Sequence, residues 1–274
     1  MPMKGAMMAG IAWDKHWRNR YLVWQLTKRE IAGRYRGSTL GLTWSIVNPL
    51  LMLVVYTFVF SVVFKARWDV GTEDSKSGFA IILFAGLILN NFFAECVNRA
   101  PTLIVANVNF VKKIVFPVEL LPVVSTLSAL FHLLISIIIL LLAEIVLTGS
   151  LPWTALGLPL LIVPFFIACV GIGWLLASVG VYIRDIAYIT GLLTTIALFV
   201  SPVFYPISAV PPSFRLWIEL NPLTFVFETG RGMLVQGLLP GVIPLLVFWL
   251  GCTMVGLFGF YWFERTKRGF ADVL

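Results

Sequence analysis

The sequence predicts an all-α polytopic membrane protein, and three observations support this class. Of the 274 residues, 59% are hydrophobic and only 12% are charged, and the mean hydropathy is +0.95. Soluble domains carry about 25% charged residues, so this chain cannot cover a water-facing surface. The apolar residues gather into runs of membrane-spanning length, and Lys and Arg gather at the ends of those runs. The surplus of positive charge therefore indicates membrane topology and not a nucleic-acid-binding face.

Six apolar stretches have about the length of a membrane-spanning helix, which needs roughly 20 residues. They are Leu40–Phe64, Phe79–Cys96, Leu120–Leu147, Leu156–Tyr182, Ile186–Phe204 and Val242–Phe263. With the N-terminus in the cytoplasm, 15 of the 20 Lys and Arg residues fall on the cytoplasmic side and five on the outer side. The positive-inside rule therefore places both termini in the cytoplasm. We expect one transmembrane domain over residues 1–274, with a six-span bundle at 40–263 and a cytoplasmic tail at 264–274.

The segment before the first span predicts an amphipathic helix over residues 13–36. This segment holds seven of the 20 Lys and Arg residues, including Arg29 and Arg34, together with Glu30. At 100° per residue an aromatic and aliphatic stripe forms along one side, from Trp17, Tyr21, Trp24, Ile31 and Tyr35. A helix with this stripe lies in the headgroup region with its cationic side chains snorkelling toward water. Attraction of the cations to anionic lipid explains part of the pattern, but not why aromatic residues fill the stripe.

The connection between the second and third spans contains a short helical segment, Pro101–Asn109. Pro101 suits a first helical turn, and Asn98 is placed to cap it. The segment is too short to span, and Lys112 and Lys113 mark its end as cytoplasmic. The residues alone leave two interpretations open, a helix across the inner surface or a loop that only joins two spans.

The segment Ser201–Gly241, after the fifth predicted span, combines apolar residues with six prolines. Two helical pieces fit within it, Ser213–Leu220 and Leu223–Val235, and each is too short to cross a bilayer. A loop this apolar does not stay in water, so we expect two re-entrant helices that dip into the outer leaflet, where protein shields their backbone ends. We interpret them as a gate at the outer mouth.

The sequence lacks the motifs of a nucleotide-binding loop, a hydrolase or a zinc site. The carboxylates within or beside the predicted spans are Glu95, Glu119 and Glu144, and interfacial placement accounts for them better than a proton relay. The cysteines Cys96, Cys169 and Cys252 lie far apart in apolar runs and are expected to be small buried hydrophobes. His16 and His132 are isolated, so no metal site is expected.

Aromatic residues are abundant, with 22 Phe, 10 Trp and 7 Tyr. Most are expected to face lipid or the protein core. A minority could line a passage, where flat rings suit the C–H faces of sugars. The candidates on the first and fifth spans are Trp44, Tyr56, Phe60, Phe199, Phe204 and Tyr205.

In the order and spacing of its short motifs, the whole chain resembles the permease subunits of polysaccharide ABC exporters, which move O-antigen, capsule and teichoic-acid polymers. The motifs are Leu26–Ile31, Arg34–Gly41, Trp44–Leu50, Val111–Pro117 with Glu119 and Pro122, Arg184–Ile186, Asn221–Leu223 and Phe270–Leu274. Each motif is weak alone, and their succession is specific.

The resemblance implies a homodimer in the bacterial inner membrane that binds two copies of a separate ATPase subunit. This chain then needs no cofactor, because ATP and Mg²⁺ bind the partner. The amphipathic helix becomes an interface helix, and Pro101–Asn109 becomes a coupling helix on the ATPase, with Pro101, Leu103, Val105, Asn109, Lys112 and Lys113 as its contact residues. The substrate is expected to be a lipid-linked polysaccharide, O-antigen first among the candidates.

Other functions remain open at this point. An exporter of the same architecture could carry teichoic acid, capsule, a drug or a lipid. A membrane-embedded polyprenyl-phosphate glycan transferase would need catalytic charge clusters on its loops, and the sequence shows only scattered charges. A passive channel would act without an ATPase. We expect a transport subunit and not an enzyme.

Overall fold

The computed structural model describes residues 19–63, 76–112, 116–149 and 151–274. Within these ranges the regular structure is helical, and they contain no β-strand. The helices are α1 (Arg20–Arg34), α2 (Trp44–Tyr56), α3 (Lys76–Arg99), α4 (Val108–Lys112), α5 (Leu120–Thr148), α6 (Pro159–Tyr182), α7 (Ile186–Val200), α8 (Pro212–Glu219), α9 (Pro222–Arg231), α10 (Val242–Thr266) and α11 (Phe270–Val273). The all-α fold class is therefore confirmed for the described part of the chain.

Among the described residues, five helical stretches are long and apolar enough to cross a membrane. They are Gly41–Val59, Gly78–Thr102, Leu120–Leu147, Trp153–Tyr182 and Val242–Val273. The fifth expected span, Ile186–Phe204, contains instead the 15-residue apolar helix α7. Its length of about 22 Å is less than the roughly 30 Å of a bilayer's hydrocarbon core, so the count of six spans remains a prediction.

Helix α3 occupies the centre of the bundle. It packs against α2, α5, α6, α7 and α9. Its side chains Ile81, Leu83 and Leu89 are fully buried. Contact on all sides explains why α3 is apolar around most of its circumference and not along one stripe.

Helices α6 and α10 approach each other through small residues. A Cβ atom on Gly259 would lie only 2.1 Å from the carbonyl oxygen of Gly171, and one on Gly256 would lie 2.8 Å from the Ile167 side chain. At one end of the pair, Trp249 Nε1 donates a hydrogen bond of 2.9 Å to the carbonyl oxygen of Leu160. Close backbone contact supplies the van der Waals energy that holds helices together where no water is displaced.

The segment between α7 and α10 holds two short helices, α8 and α9, which overlap the two pieces expected from the sequence. Helix α9 is capped by Asn221, whose side-chain oxygen accepts the Leu223 N–H at 3.0 Å, and Pro222 occupies the first turn. A π-helical turn, Gly232–Gln236, extends α9, and Gly237 at φ 71° ends it. The depth of these helices in a membrane stays a prediction.

The contact between α6 and α10 predicts a sharp positional effect of added methyl groups. We expect Gly259→Ala to lower the melting temperature of the purified protein in detergent, because its Cβ overlaps the Gly171 backbone and overpacking costs about 1–3 kcal/mol. Gly251→Ala on the same helix is the matched control, since no atom lies within 4 Å of its Cβ. Equal melting temperatures for the two variants would contradict the described packing.

Candidate functional site

Ion pairs fasten α1 to one end of α3. Arg34 pairs with Glu95, and Arg99 Nη2 lies 2.5 Å from Glu30 Oε1. Arg99 Nη1 also lies 3.5 Å from Glu95 Oε1. Because all four side chains keep partial solvent exposure, each single pair contributes little, and the network as a whole fixes the position of α1. We call this end of the bundle the α1 end.

A cavity of about 450 Å³ separates α1 from the segment that follows α3. Its walls include the ion-pair residues Glu30, Arg34 and Arg99, with Leu103 and Asn107 on the opposite side. The structure therefore brings together two pieces that the sequence singled out separately, the amphipathic helix and the segment predicted to couple to an ATPase.

The expected coupling helix Pro101–Asn109 is not one continuous helix. It consists of two 3₁₀ turns, Ala100–Thr102 and Val105–Asn107, followed by α4. The expected cap also fails, because Asn98 Nδ2 donates to Thr194 Oγ1 on α7 at 3.1 Å. Without a capping side chain, the first turn continues directly from α3.

Residues on one side of this segment anchor it to the bundle. Pro101 is buried against α6, where a Cβ atom on Gly180 would lie 2.1 Å from the Pro101 carbonyl oxygen. Ile104 is fully buried in an apolar cluster that also contains Phe263 and Phe270. The outward side chains are therefore the ones available to a partner.

The exposed residues of this segment are Thr102, Ala106 and Asn109, and the first two also line the open cavity beside α1. Of the coupling residues expected from the sequence, Asn109 is exposed and Leu103 and Val105 are half-buried. Lys112 lies in α4, where only its backbone is described, and Lys113 lies outside the described residues. Sequence reasoning missed Thr102 and Ala106, although their spacing of four residues is that of one helical face.

The C-terminal tail packs at the same end. Phe270 is fully buried, with its ring centroid 5.5 Å from that of Phe263. Tyr182 Oη donates to the Thr266 carbonyl oxygen at 3.1 Å, and Lys267 Nζ lies 3.7 Å from Glu119 Oε2. The basic tail, α1 and the segment after α3 thus share one end of the molecule.

The residues expected on the interface helix divide between two sides of α1. Tyr21 and Trp24 are 73% and 57% exposed, as a membrane-surface helix requires. Arg29 lies over the ring of Phe110, with 5.9 Å from guanidinium carbon to ring centroid. Glu30 and Arg34 point to α3 in the ion pairs above, and Trp17 lies outside the described residues.

The candidate passage aromatics form one cluster and two separate positions. Phe199, which is 62% exposed, stacks on Phe204 with centroids 5.5 Å apart, and Tyr205 Oη donates to the carbonyl oxygens of Phe199 and Val200. Trp44 Nε1 donates to Ser38 Oγ at 2.9 Å, and Tyr56 packs against the core. The side chain of Phe60 is outside the description. The three aromatic residues at and just after the end of α7 are thus the best-defined surface of this kind.

A buried arginine organises the opposite end. Arg231 at the end of α9 is 1% exposed. Its guanidinium donates to the carbonyl oxygens of Ile82 at 3.2 Å, of Pro202 at 2.5 Å and of Val203, and to Glu228 Oε1 at 3.0 Å. One side chain therefore joins α3, the end of α7 and α9, although the sequence suggested only a cation in an outer loop.

Burial shifts the titration of this pair. It lowers the pKa of the Arg231 guanidinium to about 10, which still leaves the group protonated at neutral pH. Burial also raises the pKa of the Glu228 carboxyl, against the opposing effect of Arg231. The guanidinium thus keeps its charge and its donors.

The remaining carboxylates expected at the membrane surface take different positions. Glu119 is buried beside Lys267, and its carbonyl oxygen accepts the Trp174 Nε1–H at 2.8 Å. Glu144 near the far end of α5 is buried inside the protein, so protein atoms and not headgroups surround it. The three cysteines are buried and free, as expected from the sequence.

The ion pairs at the α1 end predict that Glu95 controls the attachment of α1. In Glu95→Gln, Arg34 loses its carboxylate and Arg99 keeps only Glu30, so hydrogen–deuterium exchange across residues 20–34 should rise. Glu219→Gln serves as the control, since that carboxylate is exposed on α8 at the other end. Unchanged exchange in Glu95→Gln would show that the network does not hold α1.

The hydrogen bonds of the buried Arg231 guanidinium predict that lysine cannot replace arginine at this position. A lysine ammonium cannot reach the carbonyl oxygens of Ile82, Pro202 and Val203 together, so Arg231→Lys should leave buried acceptors unsatisfied and cost about 3 kcal/mol or more. The measurement is the melting temperature, with limited proteolysis of residues 201–241.

The matched control is Arg215→Lys. Arg215 Nη2 also donates to backbone carbonyl oxygens, those of Ser208 and Val210, but its side chain is only half-buried. Equal melting temperatures for Arg231→Lys and Arg215→Lys would show that the hydrogen bonds of Arg231 do not stabilise this end of the bundle.

Comparison with known proteins gives a consistent result. A sequence model of the family described as ABC-2 type transporter matches residues 21–235. The chain is 26% identical over 253 residues to the O-antigen export system permease protein RfbA of Klebsiella pneumoniae, covering 91% of this chain and 93% of the relative. It is 26% identical over 229 residues to the protein of the same name from Myxococcus xanthus, covering 83% and 85%. It is 24% identical over 251 residues to the polysialic acid transport protein KpsM of Escherichia coli, covering 84% and 88%.

These similarities confirm the resemblance to membrane subunits of ABC exporters. Such subunits are transport components and not enzymes, and they work with a separate ATPase subunit. Together with its apolar helices, the match describes a multi-pass bacterial membrane protein. With most of its length matched, the chain belongs to the ABC-2 type transporter family.

Proposed function

We propose that this chain is the permease of an ATP-driven exporter that moves a lipid-linked polysaccharide, O-antigen in the first place, from the cytoplasmic side across the inner membrane. The observation that carries the proposal is the match to O-antigen export permeases along 91% of the chain. Similarity to a polysialic acid transport protein also makes capsular polysaccharide a candidate. The whole chain acts as one membrane domain.

The ATPase partner docks at the α1 end. The outward face of the segment after α3, with Thr102, Ala106 and Asn109, offers it a surface whose other side is anchored through Pro101 and Ile104. Half-buried Leu103 and Val105 border that face. Lys112 and Lys113, which follow this segment in the sequence, are expected to add positive charge to the contact. ATP and Mg²⁺ bind the partner, because this sequence has no phosphate-binding loop of its own.

This placement also supports cytoplasmic termini. Helix α1, the segment after α3 and the tail at 264–274 lie at one end of the bundle, and they carry cations that the positive-inside rule assigns to the cytoplasm. Helices α8 and α9 then belong to the outer side as re-entrant helices, and α7 crosses as the fifth of six spans.

Helix α3 connects the two ends mechanically. From Ile82, which accepts a hydrogen bond from Arg231, to Arg99 the helix rises about 25 Å without a break. A displacement of the docking surface by ATP binding is therefore carried along α3 to the end of α7 and the loop after it, where Phe199, Phe204 and Tyr205 line the exit. Trp44 and Tyr56 on the first span line the passage as well, and Phe60 is a further candidate from its sequence position.

A second copy of this chain completes the passage. Helix α7 has an exposed apolar face that includes Leu192, Leu193 and Phe199, and α2 has another that includes Leu51 and Val54. A helix shorter than the bilayer is stabilised by association with other protein, and exposed apolar faces of this kind suit a contact with a second copy. The complete exporter then contains two permease chains and two ATPase chains.

The outward face of the docking segment provides the test. We expect the purified chain to hydrolyse no ATP alone and to form a stable complex with its cognate ATPase after co-expression. Ala106→Glu introduces a charged, longer side chain at the centre of the docking face and should weaken the complex at least tenfold and stop polysaccharide export. Pull-down and surface display of the polymer measure the two effects.

Ala209→Glu is the matched control, because Ala209 is also exposed but lies in the turn before α8. It should leave the complex intact. Normal association and export in Ala106→Glu would overturn the docking surface. Failure of the unaltered chain to associate with any co-expressed ATPase would overturn the proposed function itself.

A further inference from the structure

A second cavity lies on the other side of α1, in a groove between α1 and α5. Its volume is about 650 Å³, and its walls include Trp24, Ile31, Leu130 and Leu134. Of the described residues that line it, Lys28 alone carries a charge. Helix α1 thus separates a charged cavity, bounded by Glu30, Arg34 and Arg99, from an apolar groove.

Lys28 stands over the groove together with an aromatic ring. Its Nζ atom lies 4.8 Å from the centroid of the Trp24 ring, and both side chains are exposed. A cation above an indole ring, on a helix with a second exposed aromatic residue, is the arrangement of side chains found at the level of lipid headgroups. The polar edge of the groove is therefore suited to a phosphate.

The apolar wall of the groove continues along α5. Leu130 and Leu134 line the cavity, and Ile138 and Leu142 follow at four-residue intervals on the same face, each 57% exposed. From Leu130 to Leu142 this track is about 18 Å long. One leaflet of the hydrocarbon core is about 15 Å thick, so the track has the length of an extended acyl chain.

The combination of one cation and a long apolar track favours a lipid over a second copy of this chain. Packing of two copies through this face would bring like charges at Lys28 toward each other, and the lining offers no carboxylate to compensate. An anionic headgroup supplies the missing negative charge, and its chain covers the exposed leucines and isoleucine.

We propose that the groove between α1 and α5 binds one anionic phospholipid, with its phosphate at Lys28 and one acyl chain along Leu130, Leu134, Ile138 and Leu142. The bound lipid fills the space beneath α1 and supports the helix from the side opposite its ion pairs. The inference requires α1 to lie at the membrane surface, and it holds whichever polymer the protein exports.

Native mass spectrometry of the full-length chain tests the site. The protein is purified in detergent, then titrated with phosphatidylglycerol or phosphatidylcholine, and bound lipids are counted per chain. We expect one phosphatidylglycerol to be retained in preference to phosphatidylcholine. Lys28→Gln should reduce that preference about fivefold, since one cation near a membrane surface contributes about 1 kcal/mol. Arg36→Gln is the matched control, because Arg36 is also an exposed cation and follows α1 closely in the sequence, but it does not line the groove.

A second variant tests the groove itself. Ala32→Trp places a large ring in the cavity from the exposed side of α1, so it should displace the retained lipid of either kind without changing the melting temperature of the bundle. Equal retention of both lipids by the unaltered chain, or an unchanged preference in Lys28→Gln, would overturn the proposal.

Two further outcomes would also reject a phospholipid as the occupant. The first is that Ala32→Trp shifts the monomer–dimer distribution while lipid retention stays constant, which would assign the groove to a second copy. The second is that the retained molecule proves to be a polyprenyl-linked glycan by its mass.

Discussion

A charged group buried in an apolar protein must have its donors satisfied, and the Arg231 guanidinium imposes that constraint on this fold. It gathers the carbonyl oxygens of Ile82, Pro202 and Val203 around one side chain. Two of these carbonyl groups lie just after the end of α7. Carbonyl oxygens at a helix end have no hydrogen-bond donor within the helix, so they need another partner. Gly86 makes room for the guanidinium, because a Cβ atom there would lie 2.7 Å from Arg231 Nη2. Helix α9, which carries Arg231, and the backbone that follows α7 are thereby held to α3 through one side chain.

The α1 end is held by partly exposed ion pairs and close packing, which gives it a different character. Glu30, Arg34, Glu95 and Arg99 join α1 to α3 through contacts that water can weaken. The segment after α3 is instead fixed by buried Ile104 and by the close approach of Pro101 to Gly180. A helix attached by exposed ion pairs can shift at low energetic cost, whereas the segment after α3 moves together with α3 and α6. This division is the one that the proposed docking of an ATPase at this end would require.

Sequence reasoning located most helices because their lengths and apolar content are local properties. The bounds of α3, α5, α6 and α10 differ from the expected spans by a few residues. It was less successful with the segment Pro101–Asn109, which forms 3₁₀ turns and α4 instead of one helix. Asn98 shows the reason, since its amide pairs with Thr194, a residue 96 positions away, instead of capping the turn beside it. The backbone of the neighbouring turn is only one of the hydrogen-bond partners that the folded chain offers to Asn98.

The sequence by itself determined that this is a helical membrane protein, where its apolar helices run and where its cations gather, because insertion and helix formation depend on the composition of continuous segments. Only the tertiary structure decided which side chains meet. The bond from Arg231 to Ile82 joins residues 149 positions apart, and nothing in either local sequence specifies the other. The same holds for Phe270, which looked like part of a short basic tail and is fully buried beside Ile104. Periodicity gives the direction in which a side chain points, and packing of distant helices gives what it contacts.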